Sequence, residues 1–335
     1  HFYTDTSCMK RKWIRRVGWI LLTPIILFVI LMVLLYIPPV QNLLRREVTA
    51  YASKATGMQI QVERIDLRFP LNLLVRGVEV IQQPDTLLSL ESLNVRVQAW
   101  PLLKGKVEVD EVTLSQVAVN SANLIEGMQI KGVLGRFFLQ SHGVDLSNET
   151  AVVNRTELSD THIQLLMTDT TTTPKDTTAS APVNWKVNLH QLKLKNVSFG
   201  MKLPADSMKM AAYIGEATID DAKADLKNQF YGLKQFLLSG ASASYDTGEA
   251  QPSEGFDASH MAVRNIRIGL DSLLYEGRNM NAVIREITME ERSGLSITSL
   301  TGRLFSNDSI IRIPELKLQT PHSEIDLSAQ TYWEL

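Results

Sequence analysis

At 335 residues, with 44% hydrophobic and 21% charged side chains, the chain carries enough apolar content to build packed structure and is not disordered. A formal net charge of -2, with Lys and Arg concentrated in one N-terminal run, leaves no basic face for a phosphate backbone and excludes nucleic acid as a partner. The single cysteine, Cys8, excludes an internal disulfide framework and a thiolate metal site.

Met9 stands directly before Lys10, Arg11, Lys12, Arg15 and Arg16 and reads as the natural start, with residues 1–8 upstream of it. Residues 17–37 carry no charged side chain over 21 positions. At about 1.5 Å per residue a helix of that length spans roughly 31 Å, the hydrocarbon thickness of a bilayer. The run is longer than the apolar region of a signal peptide, about 7 to 15 residues, and no Ala-x-Ala site follows, so the segment is expected to stay as a single-pass anchor. The five basic residues before it, against Arg45, Arg46 and Glu47 after it, set the topology. Residues 1–16 are expected in the cytoplasm and everything beyond Pro38 outside it.

From Pro38 to Gly57 apolar residues recur at helical spacing, at Val40, Leu43, Leu44, Val48, Tyr51, Ala52 and Ala55, with Gly57 placed as a C-cap. This amphipathic helix either lies on the outer face of the bilayer or caps the end of a β core.

From Met58 the period changes to 2. Ile60 and Val62, Leu74, Val78 and Val80, and Leu93, Val95 and Val97 alternate with Gln59, Gln61, Glu79, Asn94 and Arg96, the pattern of strands with one apolar and one polar face. Apolar pairs continue at Val107 and Val109, Val112 and Leu114, Val187 and Leu189, Leu192 and Leu194, Val197 and Phe199, and on to Ile325 and Leu327. Taking each short run as a strand, the brief separations predict a meandering antiparallel sheet over 58–335. Residues 168–182, rich in Thr with two prolines, read as a flexible insertion whose removal is expected to leave the fold intact, and 246–255 as a second excursion. Between Ala211 and Leu237 the spacing fits helix and strand alike. The last residues leave an alternating pattern hanging, as in a truncated longer protein.

Six scattered histidines lack a second ligand at metal spacing, and there is no nucleophile elbow, phosphate-binding loop, dinucleotide fingerprint or EF-hand. The expectation is a non-enzymatic protein with no catalytic residues, no metal and no cofactor.

The order of features then becomes informative. An anchor and an amphipathic helix ending in Thr56-Gly57 precede the strand from Gln59 to Val62, then the segment from Arg64 through Phe69-Pro70 to Val80, then Leu87 to Val97 and Trp100-Pro101 to Val109. This resembles the N-terminal part of the TamB and AsmA-like envelope family over about Trp13 to Asn120, and the segments at Glu290 to Leu295 and Thr320 to Ser323 are similar to TamB-like proteins of the Bacteroidetes. The resemblance implies a bacterial inner-membrane anchor and a periplasmic antiparallel sheet curled into a groove, a β-taco. It also implies an Omp85-type outer-membrane partner, reached through a C-terminal module that this sequence does not include. Members of the family are tied to phospholipid movement in outer-membrane biogenesis, and to protein secretion through the translocation and assembly module.

On that reading Ile60, Val62, Leu74, Val78, Val80, Leu93, Val95, Val97, Val107, Val109, Val112 and Leu114 line the start of the groove. The sequence leaves open whether this apolar phase faces an open trough or packs against itself as a closed sandwich.

Overall fold

The computed structural model describes residues 38–68, 71–102, 108–121, 127–145, 148–167, 184–248 and 251–332. Helix α1 (Pro38–Thr56) is followed by strands β1 (Gln59–Arg68), β2 (Asn72–Gln82) and β3 (Asp85–Val97), a single helical turn α2 (Ala99–Leu102), then β4 (Val109–Asn120), β5 (Met128–Asp145), β6 (Thr150–Met167), β7 (Lys186–Leu203) and β8 (Met208–Asp225). After these come β9 (Phe230–Leu233), β10 (Gln235–Asp246), β11 (His260–Glu276), β12 (Asn279–Glu291), β13 (Ser296–Ser306), β14 (Ile310–Gln319) and β15 (Glu324–Tyr332). The protein is mainly β. Among the described residues no helix is long and apolar enough to cross a membrane. The span expected at 17–37, and the topology-setting residues before it, lie outside the described residues.

All fifteen strands belong to one sheet, in chain order from β1 to β15 except that β9 continues the line of β10 between β8 and β11. Substantial contact between elements runs only between neighbours in this order. Residues 211–237, ambiguous by spacing, are strands β8, β9 and the start of β10. The described residues 247–248 and 251–259 lie outside any strand, between β10 and β11, as expected of an excursion.

The strands are longer than the sequence reading predicts, for a definite physical reason. Val187 and Leu189, Leu192 and Leu194, and Val197 and Phe199 are three apolar pairs on the one strand β7, not three strands. Between successive pairs one residue steps out of the regular ladder in both strands with no change of register, as Asn196 does at φ 54 opposite Gly215, and this bulge shifts the side-chain alternation by one and returns the next apolar pair to the same face. The bulges align from strand to strand. Glu63, Gly77, Glu91, Gln116, Gly135, Asp160, Asn196, Gly215 and Gly240 stand at one level, and of these Gly77, Gln116, Asp160, Asn196 and Gly240 have positive φ. In β14 Pro314 stands next to the register shift between Ile313 and Leu316, a place where a strand tolerates a residue with no N–H.

The meander has one exception. β6 and β7 pair in parallel, with Thr150 opposite Lys186 and Leu166 opposite Lys202. The insertion placed at 168–182 lies outside the described residues, but its flanks leave and rejoin the sheet at opposite ends of an 18-residue strand pair. Parallel neighbours are joined by a crossover rather than by a tight hairpin turn.

One edge of the sheet is covered. Helix α1 lies along β1, with Gln41 Nε2 donating to the Leu67 carbonyl at 3.3 Å, an Arg45 guanidinium N–H donating to the Glu63 carbonyl at 2.6 Å, and the Ile60 amide donating to Ser53 Oγ at 3.1 Å. These bonds occupy backbone groups that an open edge strand would present to other chains. Gly57 ends the helix with φ +70, its amide bonded to the Ser53 carbonyl at 2.9 Å, as the C-cap reading expects. The opposite edge, β15, is exposed at all nine residues.

Candidate functional site

Because the bulges keep phase, the apolar face is continuous across the whole sheet. Ile65, Val75, Leu93, Leu114, Phe137, Leu158, Leu194, Ala217, Leu238, Ile268, Ile287, Leu300, Leu318 and Ile325 stand directly opposite one another, one from each strand of the fourteen-strand path. Every member is apolar. A second unbroken row runs beside it from Leu67 and Leu73 through Val95, Val112, Leu139, Thr156, Leu192, Ile219, Phe236, Leu270, Ile284 and Gly302 to Leu316 and Leu327. At about 4.8 Å per strand, each row extends on the order of 60 Å.

The expected groove residues fall on this surface with two exceptions. Leu93 and Leu114 belong to the first row, Val95 and Val112 to the second. Ile60 and Val80, and Val62 and Val78, form cross-strand pairs on the same face beyond the bulge line. Val97 opposes Val109 where a register shift separates them from Val95 and Val112. Leu74, in contrast, stands opposite Asp66 and Asn94 on the polar face, since it sits one residue out of phase with Leu73 and Val75. Val107 lies outside the described residues. Ile60, Val62, Val78, Val80, Leu93, Val95, Val97, Val109, Val112 and Leu114 are all half-buried rather than fully enclosed.

The polar face carries the residues that flank each bulge, such as Ser115 and Gln116, or Lys195 and Asn196. Its cross-strand ion pairs include Arg96 with Glu111 at 3.4 Å and Lys186 with Asp225 at 3.2 Å, solvent-screened contacts of about 0 to 1 kcal/mol each. At a second bulge level His190 Nδ1 lies 3.2 Å from Asp221 Oδ1, and that contact holds the Asp221 carboxyl below its ordinary value.

Sequence reasoning placed the site on the first strands and missed its far half. A cavity of about 800 Å³ spans the ends of β6, β7, β8, β10, β11, β12 and β13, and takes in the cross-strand row Ile163, Phe199, Ala212, Ala243 and Val263. Ile163 is 40% exposed and Phe199 43%. Opposite Val263 the row closes on Glu291, whose carboxylate accepts the Ser293 amide at 2.6 Å. The Ser293 hydroxyl and amide hold that carboxyl below its usual range. The signal for this half was present in the sequence as apolar pairs repeating every five residues.

No family model and no curated protein matches the chain. The reading of function therefore rests on the surface itself. Among the described residues no group of His, Cys, Asp and Glu is placed to hold a metal ion.

Proposed function

We propose that the chain is a membrane-anchored, non-enzymatic envelope protein of the TamB and AsmA-like kind. In this reading it conducts phospholipid passively along the apolar face of its sheet, which is curled into an open groove between the inner and outer membranes. The observation that carries this reading is the first cross-strand row, apolar at every one of its fourteen positions and continuous from β1 to β15. A closed domain needs an apolar core but has no need of a row without interruption along its whole length.

The energetics favour such a surface as a conduit. A sixteen-carbon acyl chain resists transfer to water by roughly 12 kcal/mol at about 0.8 kcal/mol per CH2, which prohibits free crossing of an aqueous compartment. Half-buried Val, Ile and Leu side chains offer a partner at each step along the row. The aligned bulges supply curvature, because a bulge bends its strand, and bends at one level in successive strands crease the sheet lengthwise.

Photo-crosslinkers test the reading. Placed at Val95 and Val97 they capture phospholipid, and at Arg96 they do not. The substitution Val95→Asp sets a carboxylate in the row, where its desolvation is costly, and blocks capture at Val97 while the sheet stays folded. A folded Val95→Asp protein with undiminished capture overturns the conduit.

A second reading, a scaffold for outer-membrane protein assembly, is favoured by one observation. Strand β15, paired to β14, is exposed at all nine of its residues, and an exposed strand is a surface to which a client strand can add.

A further inference from the structure

A cavity of about 440 Å³ lies at one end of β5, β6, β7, β8 and β10. Two cross-strand rows border it: Lys131, Gln164, Gly200, Ala211 and Ser244, and beside them Gln129, Leu166, Lys202, Lys209 and Asp246. Along β7 these rows alternate with Phe199 and Met201, so they belong to the polar face of the sheet. Folding alone leaves two features of this place without a cause. The first is charge. Lys202 stands directly opposite Lys209, an arrangement of like charges that destabilises a strand pair. Lys131 borders the same cavity, all three lysines are exposed, and among the described residues none of them makes an ion pair. Asp246 supplies the one carboxylate among the described residues that line the space.

The second feature is Gly200. A glycine inside a strand gives up backbone entropy and side-chain packing, and it is kept where φ is positive or where another group comes close. Gly200 has no positive φ, and a Cβ built on it meets nothing nearer than Gln164 Cγ at 3.8 Å and the Met210 carbonyl oxygen at 3.9 Å. Gly132, Gly135 and Gly215, also without positive φ, each have a main-chain oxygen at 3.0 Å or less from that position. Neither packing nor backbone conformation excludes a side chain at 200, so what the glycine provides is an open floor. We propose that the cavity binds a phosphate-bearing ligand, seated over Gly200 and held by the ammonium groups of Lys131, Lys202 and Lys209. A phosphate monoester carries about -1.5 to -2 charges at pH 7 and three acceptor oxygens, a match for three cations that the one carboxylate of Asp246 does not offset. The Gln164 amide and the Ser244 hydroxyl line the same space and can donate to it. The volume leaves room for the group that carries the phosphate, a soluble glycerol or sugar phosphate or the headgroup of a lipid. The inference rests neither on the proposed anchor nor on lipid conduction.

Calorimetric titration of the full chain, in an uncharged detergent and a phosphate-free buffer, tests the site with glycerol 3-phosphate, glycerol and dihexanoyl phosphatidic acid. Glycerol 3-phosphate binds saturably and glycerol does not. The double substitution Lys202→Gln and Lys209→Gln weakens that binding about tenfold or more, through loss of charge-assisted hydrogen bonds. Because it relieves a like-charge pair, the same variant keeps its strand circular dichroism and its urea midpoint. Lys195→Gln, on the polar face but outside the cavity, leaves binding unchanged. Gly200→Leu fills the floor and abolishes binding, whereas Gly200→Ala, for which there is room, leaves the urea midpoint unchanged or raises it. Phosphatidic acid that binds tighter than glycerol 3-phosphate assigns the site to a lipid headgroup, and equal affinity assigns it to a soluble phosphate; both outcomes support the phosphate site. The absence of saturable heat with either phosphate probe at millimolar concentration overturns the proposal. So does binding that survives both Gly200→Leu and the double lysine substitution. A loss with Lys195→Gln as large as with the double substitution overturns it too, since that is a diffuse attraction of anions to the sheet.

Discussion

Asn196 Nδ2 donates to Asp160 Oδ1 at 2.7 Å across the parallel pair β6 and β7, and both residues hold left-handed backbone, with φ 54 and φ 50. Neither is glycine. Short polar side chains that bond locally are the non-glycine residues best suited to this conformation, and here each stabilises the other's bulge at the place where the sheet changes strand direction.

Replacing Asn196 with a β-branched residue tests this role. Asn196→Val places a branched Cβ at positive φ and removes the bond to Asp160, with an expected destabilisation of about 1–3 kcal/mol. Asn196→Gly keeps the backbone geometry and loses only the hydrogen bond, a smaller effect of about 0.5–1.5 kcal/mol. Urea midpoints of the two variants should rank in that order, and equal midpoints would show that the backbone conformation is not the constraint.

Close backbone approach is the second feature of the bulge line. A Cβ built on Gly215 meets the Gly240 carbonyl oxygen at 2.9 Å and the Ser239 carbonyl oxygen at 3.0 Å, both main-chain atoms with no rotamer to give. Gly215→Ala is therefore expected to cost about 1–3 kcal/mol by overpacking. An unchanged denaturation midpoint would contradict the close approach of β8 and β10.

The parallel pair sets a minimum length for residues 168–183. Asn184 is bonded to Glu149 at 3.1 Å, at the opposite end of β6 from Met167. The span to be crossed is about 55 Å at 3.3 Å per residue of strand. Seventeen peptide units reach about 60 Å when fully extended, and deleting 171–181 leaves a reach of only about 20 Å. The deletion variant should lose the β6–β7 pairing, read as loss of amide protection in both strands. Retained protection would show that the two strands are not parallel neighbours.

Asp257 organises the connection before β11. Its carboxylate accepts the Ser253 amide at 3.0 Å, the Ser259 amide at 2.9 Å, the Ser253 hydroxyl at 3.2 Å and His260 Nδ1 at 3.0 Å. The Ser253 amide contributes most to holding this carboxyl well below the ordinary aspartate value. A carboxyl depressed in the folded state contributes stability that is present above its unfolded pKa, 3.8, and is lost as pH falls through the lower folded value. Amide exchange at Ser253 and Ser259 should thus show constant protection from neutral pH down to the unfolded aspartate pKa, with opening only in stronger acid. Asp257→Asn should lower protection already at neutral pH and flatten the acid transition. An acid transition unchanged by the substitution would assign the effect to another group.

The helix, the onset of strands at residue 59 and the polarity of the faces were legible in the sequence because each rests on local periodicity. Strand length was not. Read with a strict period of 2, Leu192-x-Leu194 and Val197-x-Phe199 break phase at Lys195-Asn196 and look like two strands, whereas the bulge makes them one. Leu74 was assigned to the apolar face because it is apolar, although Leu73 and Val75 fix the phase and turn it away. The parallel pair was invisible for a different reason: strand direction depends on which neighbour a strand finds, and no residue of β6 or β7 encodes that alone. The cavity at Phe199 and Ala243 is likewise a property of seven strands together.

Among the described residues all substantial contact between strands is between neighbours in the sheet, which makes it a one-dimensional solid in its thermodynamics. Each strand's stability is its own plus two nearest-neighbour couplings, as in repeat arrays, so a defect in β14 is not felt in β3, and melting proceeds as fraying from whichever end is less restrained. With α1 bonded along β1, that strand is the more restrained of those described, so fraying that starts elsewhere in the sheet reaches β1 and its helix last.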